Sequence, residues 1–331
     1  KPREKKSSSK KIFGAKRKKS SEILAIDIGD RRIKYVAGSL ADEKIKVNKI
    51  FSVDTSGSSY DRLQNNELEG LKSDIQKGLM ENSIKIKDVV CTIDSKAVIS
   101  RELIVPAVSE ADLEGLISYE VSQYLPIDIS SFVLQYKVIK EFAEDGMNKY
   151  EVWVAVFPKD IANRIYTLLK DLDLEPLALD ISSNAIDKLS FHSKEINRVR
   201  NLDKKNIVFV DMGHSYMNVT ILEEGIYKFN RIIDAGGADI DKLVREYENE
   251  EDFESIKLEF SQRSVIDLVR ETENLSVGMP FSLEKSSLEG AIGTQISAWV
   301  DEIEKIIKYY TTRAIENKVD KIFIYGGSSL Y

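Results

Sequence analysis

The sequence predicts an α/β protein built from two related halves. Its clearest sign is Ile207-Val208-Phe209-Val210-Asp211-Met212-Gly213-His214-Ser215-Tyr216-Met217-Asn218-Val219-Thr220-Ile221-Leu222, which reads as a buried strand, a turn with one carboxylate and a returning strand. A second copy of that plan stands near the start, in Ile23-Leu24-Ala25-Ile26-Asp27-Ile28-Gly29-Asp30-Arg31-Arg32-Ile33-Lys34-Tyr35-Val36. The third sign is the order of elements after each copy, strands and then helices that can cover one sheet per half. Glycine lets the backbone approach a ligand, and successive turn N–H groups form an anion-binding concavity. A carboxylate beside it, Asp27 in one turn and Asp211 in the other, suits Mg2+. Two such turns in two halves point to a duplicated fold that clamps one polyphosphate between them.

At 331 residues with 42% hydrophobic content, the chain is long enough for two domains with real cores. The single Cys91 excludes an internal disulfide framework, fits a reducing compartment, and in Val89-Val90-Cys91 reads as core rather than nucleophile. No run of 18 apolar residues and no secretory leader is read, so the expected place is the cytoplasm. Charge is uneven: Lys1 to Lys19 holds ten Lys/Arg against Glu4, about +9, which leaves about −16 for the rest of a chain whose total is −7. Residues 1–19 therefore read as a basic disordered tail able to lie on an anionic membrane surface, or as a solubilising linker. The acidic body argues against nucleic-acid binding, and His192 and His214 are too far apart for a metal cluster.

After the first hairpin, Lys44 to Val53 reads as a third strand, Asp54 to Asp61 as a loop, and Leu68, Leu71, Ile75 and Leu79 as one helix face, before a strand at Val89 to Ile93. An inserted α+β module follows: strand Val98 to Val105, a helix opened by Ser109-Glu110-Ala111-Asp112 and stopped at Leu125-Pro126, strands Phe132 to Ile139 and Tyr150 to Phe157, a helix after Pro158, and a strand Leu177 to Ile181. Ser182 to Leu189 begins a helix leading into a charged linker, Lys194 to Lys205.

In the second half, three strands end in Ile232-Ile233-Asp234-Ala235-Gly236-Gly237, and Ala238 to Tyr247 continues as a helix whose glycine-led start suits an anion. Asp252 to Phe260 and a helix from about Gln295 to Ile315 make a helical satellite. Lys321 to Tyr325 is a last strand entering Gly326-Gly327-Ser328-Ser329. Such a strand normally feeds a helix that covers the sheet, so the natural chain is expected to continue past Tyr331. The expected partition is 20–97 with 181–200 for the first subdomain, 98–180 for the insertion, 201–240 with 318–331 for the second subdomain, and 241–317 for the satellite.

With these segments placed, the chain resembles the actin-like ATPase superfamily, whose fold is a duplicated, ribonuclease H-like pair of α/β domains. The two Asp-x-Gly turns are similar to its phosphate loops, Gly326-Gly327-Ser328 to its adenosine loop, and Glu254-x-x-Lys257 to the acid-lysine pair that packs on adenine and ribose. Within the superfamily it resembles the PilM family of type IV pilus assembly proteins, in Tyr119-Glu120-x-x-x-Tyr124-Leu125-Pro126, Phe132-Val133-Leu134-x-Tyr136-x-Val138, Leu174-Glu175-Pro176-Leu177-x-Leu179-Asp180 and Ala235-Gly236-Gly237-Ala238-Asp239. The insertion also lies where PilM and the divisome protein FtsA carry theirs.

The resemblance implies an ATP or ADP site with Mg2+. It would comprise Asp27, Gly29, Asp30 and Lys34 in the first half; Asp211, Gly213, Ser215, Asn218, Gly236 and Gly237 in the second; Glu254 and Lys257; and Gly326, Gly327 and Ser328. It also implies a scaffold at the inner face of the cell membrane that binds the cytoplasmic N-terminal peptide of the inner-membrane protein PilN, with twitching motility as the setting. Tyr119, Tyr124, Leu125 and Pro126 are the expected peptide contacts, because an aromatic, proline-stopped helix end can anchor apolar side chains.

Two departures bear on chemistry. Asp30-Arg31-Arg32 and His214, Tyr216 and Met217 replace the family's small hydroxyl residues, and the Asp30 carboxylate repels phosphate unless Mg2+, Arg31 or Arg32 offsets it. Hydrolysis also needs a group that positions water. Asp180 is the nearest choice, although an acid there also suits capping the next helix through Ser182 and Ser183, and no catalytic residue is assigned. The competing readings are an FtsA-like, self-associating, membrane-associated filament protein and a sugar or acid kinase.

Overall fold

The computed structural model describes residues 22–41, 44–93, 95–125, 128–247, 288–312 and 318–330. It separates into two units, one built on the chain up to Leu189 together with Ile226–Phe229, the other on Ser190–Gly225 and the residues from Asn230 onward.

The first unit is organised by one five-stranded sheet. The strands are β1 (Ile23–Ile28), β2 (Arg32–Ala41), β3 (Lys44–Asp54), β4 (Asp88–Ile93) and, after a long excursion, β8 (Glu175–Ile181), in the order β3-β2-β1-β4-β8. β1 alternates between half-buried and buried positions, so Leu24, Ile26 and Ile28 enter the core. Covering that face are α2 (Leu68–Glu81), through Leu71 and Ile75, and α4 (Lys159–Asp171), through Ile161, Ile165, Leu168 and Leu169. Cys91 is buried in the same core, where desolvation pushes its thiol up and away from nucleophile chemistry.

The excursion is a three-stranded antiparallel sheet. β5 (Ile99–Pro106), β6 (Phe132–Glu144) and β7 (Met147–Pro158) pair in the order β5-β7-β6, with α3 (Glu110–Tyr124) laid on one face. Leu113, Ile117 and Val121 recur at helical spacing and are the buried stripe of α3 against Val105, Val152, Val154 and Val156. The sequence assigns all of residues 98–180 to this module. The structure moves two elements out of it: β8 pairs with β4, and α4 packs in the core of the five-stranded sheet. Both segments are amphipathic, and periodicity does not say which sheet an apolar stripe will meet.

A short helix, α1 (Ser59–Asn65), occupies part of the stretch read as a loop, with Ser58 accepting from Asp61 N at 3.1 Å. Its sequence signal was Ser58-x-x-Asp61, a capping arrangement with Leu63 as the one large apolar anchor.

The second unit repeats the opening. α5 (Ser182–His192) and the two-residue strands β9 (Glu195–Ile196) and β10 (Val199–Arg200) fill the region before it, the latter two within the expected linker. β11 (Ile207–Met212), β12 (Met217–Glu223), β13 (Ile226–Ile233) and β14 (Lys321–Tyr325) form a sheet in the order β13-β12-β11-β14. Ile207 to Val210 are all buried, as the unbroken apolar run requires for a strand covered on both faces. α6 (Gly237–Tyr247) packs on α7 (Leu288–Thr312), where Trp299 and Tyr310 are almost fully buried. Glu254, Lys257 and the stretch Asp252 to Phe260 lie outside the described residues, as does Pro126. No helix of the described residues is long and apolar enough to cross a membrane.

Candidate functional site: two repeated turns

The two Asp-x-Gly turns have the same local geometry. In the first, β1 and β2 pair with Asp27 opposite Lys34 and Ile28 opposite Ile33. In the second, β11 and β12 pair with Asp211 opposite Asn218 and Met212 opposite Met217. A Cβ on Gly29 would lie 2.5 Å from the Arg32 carbonyl oxygen, and one on Gly213 would lie 2.5 Å from that of Tyr216. Both turns therefore fold the chain so closely that only glycine fits, the cradle expected where backbone must approach a phosphate.

Asp27 sits on a polar rung that crosses the first sheet. Ser52, Lys34, Asp27, Thr92 and Asp180 are register partners on β3, β2, β1, β4 and β8. Residues in register share one face, so this row lines up beneath the turn. The Asp27 carboxylate accepts from Lys34 Nζ at 2.8 Å and from Thr92 Oγ1 at 2.9 Å. Thr92 was missed in the sequence, where its signal is only that it is in phase with Asp27 once β1 and β4 are aligned. The structure also shows where Asp30 points. Its carboxylate accepts from Ser58 Oγ at 2.6 Å and Tyr60 N at 3.1 Å, so it holds the start of α1.

Asp180 is occupied in the same way. Its carboxylate accepts from Ile181 N at 2.8 Å and Asn184 Nδ2 at 2.7 Å and forms an ion pair with Lys188, contacts that hold the start of α5.

In the second unit, three segments converge on the turn. The Gly213 carbonyl accepts from Gly237 N at 3.0 Å and from Ser328 Oγ at 2.8 Å, and the His214 carbonyl accepts from Ala238 N at 2.8 Å. Gly236 N donates to Asp239 Oδ2 at 2.9 Å, which fixes the turn into α6. Gly326 has φ of +97°, and a Cβ there would strike the Asp211 carboxylate and lie 2.6 Å from the Met212 carbonyl oxygen. Asp211, Gly213, Gly236, Gly237, Gly326 and Ser328 are thus one constellation, with Ser215 half-buried in the turn and Gly327 exposed beside it. Asn218 is buried, and its side-chain oxygen accepts from Asn230 Nδ2. Among the described residues no cluster of three or more His, Cys, Asp or Glu could hold a metal.

The second place of interest is the small sheet. Ile99, Leu103, Val121, Tyr124, Leu125 and Val154 line a small apolar pocket at the end of α3. Tyr124 is 56% exposed, and the Arg101 guanidinium lies over its ring at 5.8 Å from the centroid. Tyr119 is 61% exposed and stands apart from the pocket lining.

The sequence pattern that defines the type IV pilus assembly protein PilM matches residues 25–265. The chain belongs to the PilM family. It is similar to a solved structure described as a PilM-PilN type IV pilus biogenesis complex, with TM-score 0.70 and 16% identity over 93% of this chain and 82% of that one. It is also similar to the ethanolamine utilization protein EutJ from Carboxydothermus hydrogenoformans, with TM-score 0.52 and 12% identity over 94% of this chain and 78% of that one. At these identities the solved structures establish the fold. A PilM-family chain with two repeated α/β sheets has the actin-like architecture expected from the sequence.

Proposed function

We propose that this PilM-family chain is a nucleotide-loaded scaffold of type IV pilus assembly, binding Mg-ATP and the N-terminal cytoplasmic peptide of a PilN-like membrane protein. The observation that carries the nucleotide half of the reading is the repeated cradle, two glycines that each abut the carbonyl three residues on, each two residues after an aspartate. The residues present fit the ligand. The Gly29 turn with Lys34 would hold phosphates, the Gly213 turn with Ser215 would do the same in the second unit, Gly236, Gly237, Gly326 and Gly327 offer backbone to the nucleoside, and Asp27 in the first unit and Asp211 in the second each offer a carboxylate suited to Mg2+. Bound Mg2+ would offset phosphate charge. Lys34, now neutralised by Asp27, gains an anionic partner when phosphate arrives.

Turnover is weak or absent in this reading. Asp180, the nearest acid to a water-positioning role, already receives three donors and holds α5. Exposed Tyr124 and neighbouring Leu125 at the end of α3 would give the peptide apolar contacts, and a membrane-anchored partner would place the chain at the inner face of the cell membrane. Calorimetric titration of a synthetic PilN N-terminal peptide, with and without Mg-ATP, tests both halves. Binding of peptide and of nucleotide supports the scaffold; no binding of either ligand overturns it.

A further inference from the structure

We propose that helix α1 is a tie between the first phosphate turn and the peptide-binding sheet, with Arg164 as the positioning residue that completes it. The inference rests on the scaffold reading above and adds its regulation.

The tie begins at the turn. Beyond the Asp30 carboxylate, which holds Ser58 and Tyr60, the Asp30 carbonyl accepts from Thr55 Oγ1 at 2.9 Å and Ser59 N at 3.2 Å, and the Arg31 carbonyl accepts from Thr55 N at 2.9 Å. The two residues after Gly29 are therefore clamped by five hydrogen bonds, three from Ser58, Ser59 and Tyr60 at the start of α1 and two from Thr55 in the segment that leads into it. The middle of α1 is anchored too: Arg62, half-buried, pairs with Asp74 of α2 at 3.0 Å, and Asp74 also accepts from Ser56 N at 3.0 Å.

At its far end α1 is held by α4. Arg164 Nη1 donates to the Leu63 carbonyl at 2.6 Å and the Gln64 carbonyl at 2.8 Å, and its other amino group meets Asp160 at 3.2 Å. These are two carbonyls of the last turn of α1, where a cation is favourable. α4 starts immediately after β7, which is the central strand of the small sheet and supplies Val154 and Val156 to the pocket at Tyr124. This seven-residue helix thus has the phosphate turn at one end and, through Arg164, the peptide sheet's exit helix at the other. A shift of the Gly29 turn on binding phosphate moves α1 and, through it, α4 and β7. Neither the residues of α1 nor Arg164 line the pocket, whereas Val154 and Val156 of β7 do.

The experiment is a thermodynamic cycle on the whole chain: Mg-ATP affinity with and without saturating PilN peptide, and peptide affinity with and without Mg-ATP. In the unaltered protein each ligand changes the other's affinity by the same factor, at least about fivefold. Arg164→Ala binds each ligand alone as the unaltered protein does, and the factor falls to one. Arg164→Lys, which keeps one donor, folds even where the alanine variant does not and retains part of the coupling. A factor unchanged in Arg164→Ala, or in Arg164→Lys where only that variant folds, overturns the tie while the scaffold reading stands. Coupling absent from the unaltered protein also overturns it. Failure of the unaltered protein to bind Mg-ATP overturns the scaffold reading, and the tie with it.

Discussion

A methyl group added at Gly29 would press against the Arg32 carbonyl, and one at Gly213 against that of Tyr216. Either contact forces the backbone outward where phosphate is proposed to sit. Gly29→Ala is expected to weaken Mg-ATP binding by tenfold or more, about 1.4 kcal/mol, with unchanged far-ultraviolet circular dichroism. A second residue-scale expectation concerns tyrosine. Burial, with the Asp74 and Cys91 charges adding to it, raises the Tyr35 phenol above its ordinary value near 10, and burial pushes Tyr227 up to about 12. A raised phenol contributes its full stability below the unfolded value and loses it as pH climbs through the folded one. The urea midpoint should therefore hold steady to about pH 9 and fall between about pH 10 and 12. Tyr35 stacks on Phe51 at 4.5 Å, and its hydroxyl is buried with no hydrogen-bond partner among the described residues. Tyr35→Phe keeps the ring and removes an unsatisfied group, so it should stabilise by about 1 kcal/mol and flatten the alkaline fall.

Helices α1 and α2 show how elements are fixed to the turn. Asp74, almost buried, receives Arg62 Nη1, Ser56 N and Ser56 Oγ, so Asp74→Asn leaves a half-buried guanidinium with a weaker partner. The expected cost is about 3 kcal/mol in urea unfolding. Leu71 is fully buried on the α2 face that enters the core of the five-stranded sheet, and Leu71→Ala should cost about 2 to 5 kcal/mol by leaving a cavity. These two losses separate charge pairing from packing within one helix. The α2 stripe was legible because Leu68, Leu71, Ile75 and Leu79 repeat at helical spacing. Helix α1 has too few apolar positions to show a period and is stabilised by partners distant in sequence, Asp30 and Arg164.

For the molecule as a whole, charge is the property the sequence states most directly. Residues 1–19 carry about +9 against about −16 in the rest. Attraction of such a tail to an anionic bilayer is screened over about 8 Å at physiological salt. Flotation with phosphatidylserine-containing vesicles should be strong at low salt, weak at 0.5 M, and lost on deleting Lys1 to Lys19; equal flotation with and without the tail would dismiss that role.

The sequence by itself determined the duplication, the strand-turn-strand frames, the burial of β11 and the turn glycines, because hydrophobic period and glycine chemistry are local. It also carried the pattern of the PilM family. Only the tertiary structure decided the allegiance of α4 and β8, since an amphipathic stripe does not specify the sheet that will cover it. The same holds for Thr92 joining Asp27 and for Asp30 turning to α1, whereas Asp180 holding the start of α5 was readable in the sequence, because its partners Ile181, Asn184 and Lys188 follow it closely. Those contacts span 65 residues for Thr92 and 28 for the Asp30–Ser58 bond, and strand register, not sequence spacing, brings Thr92 to Asp27. For Asp30 the start of α1 competes for the carboxylate, a competition that folding settles.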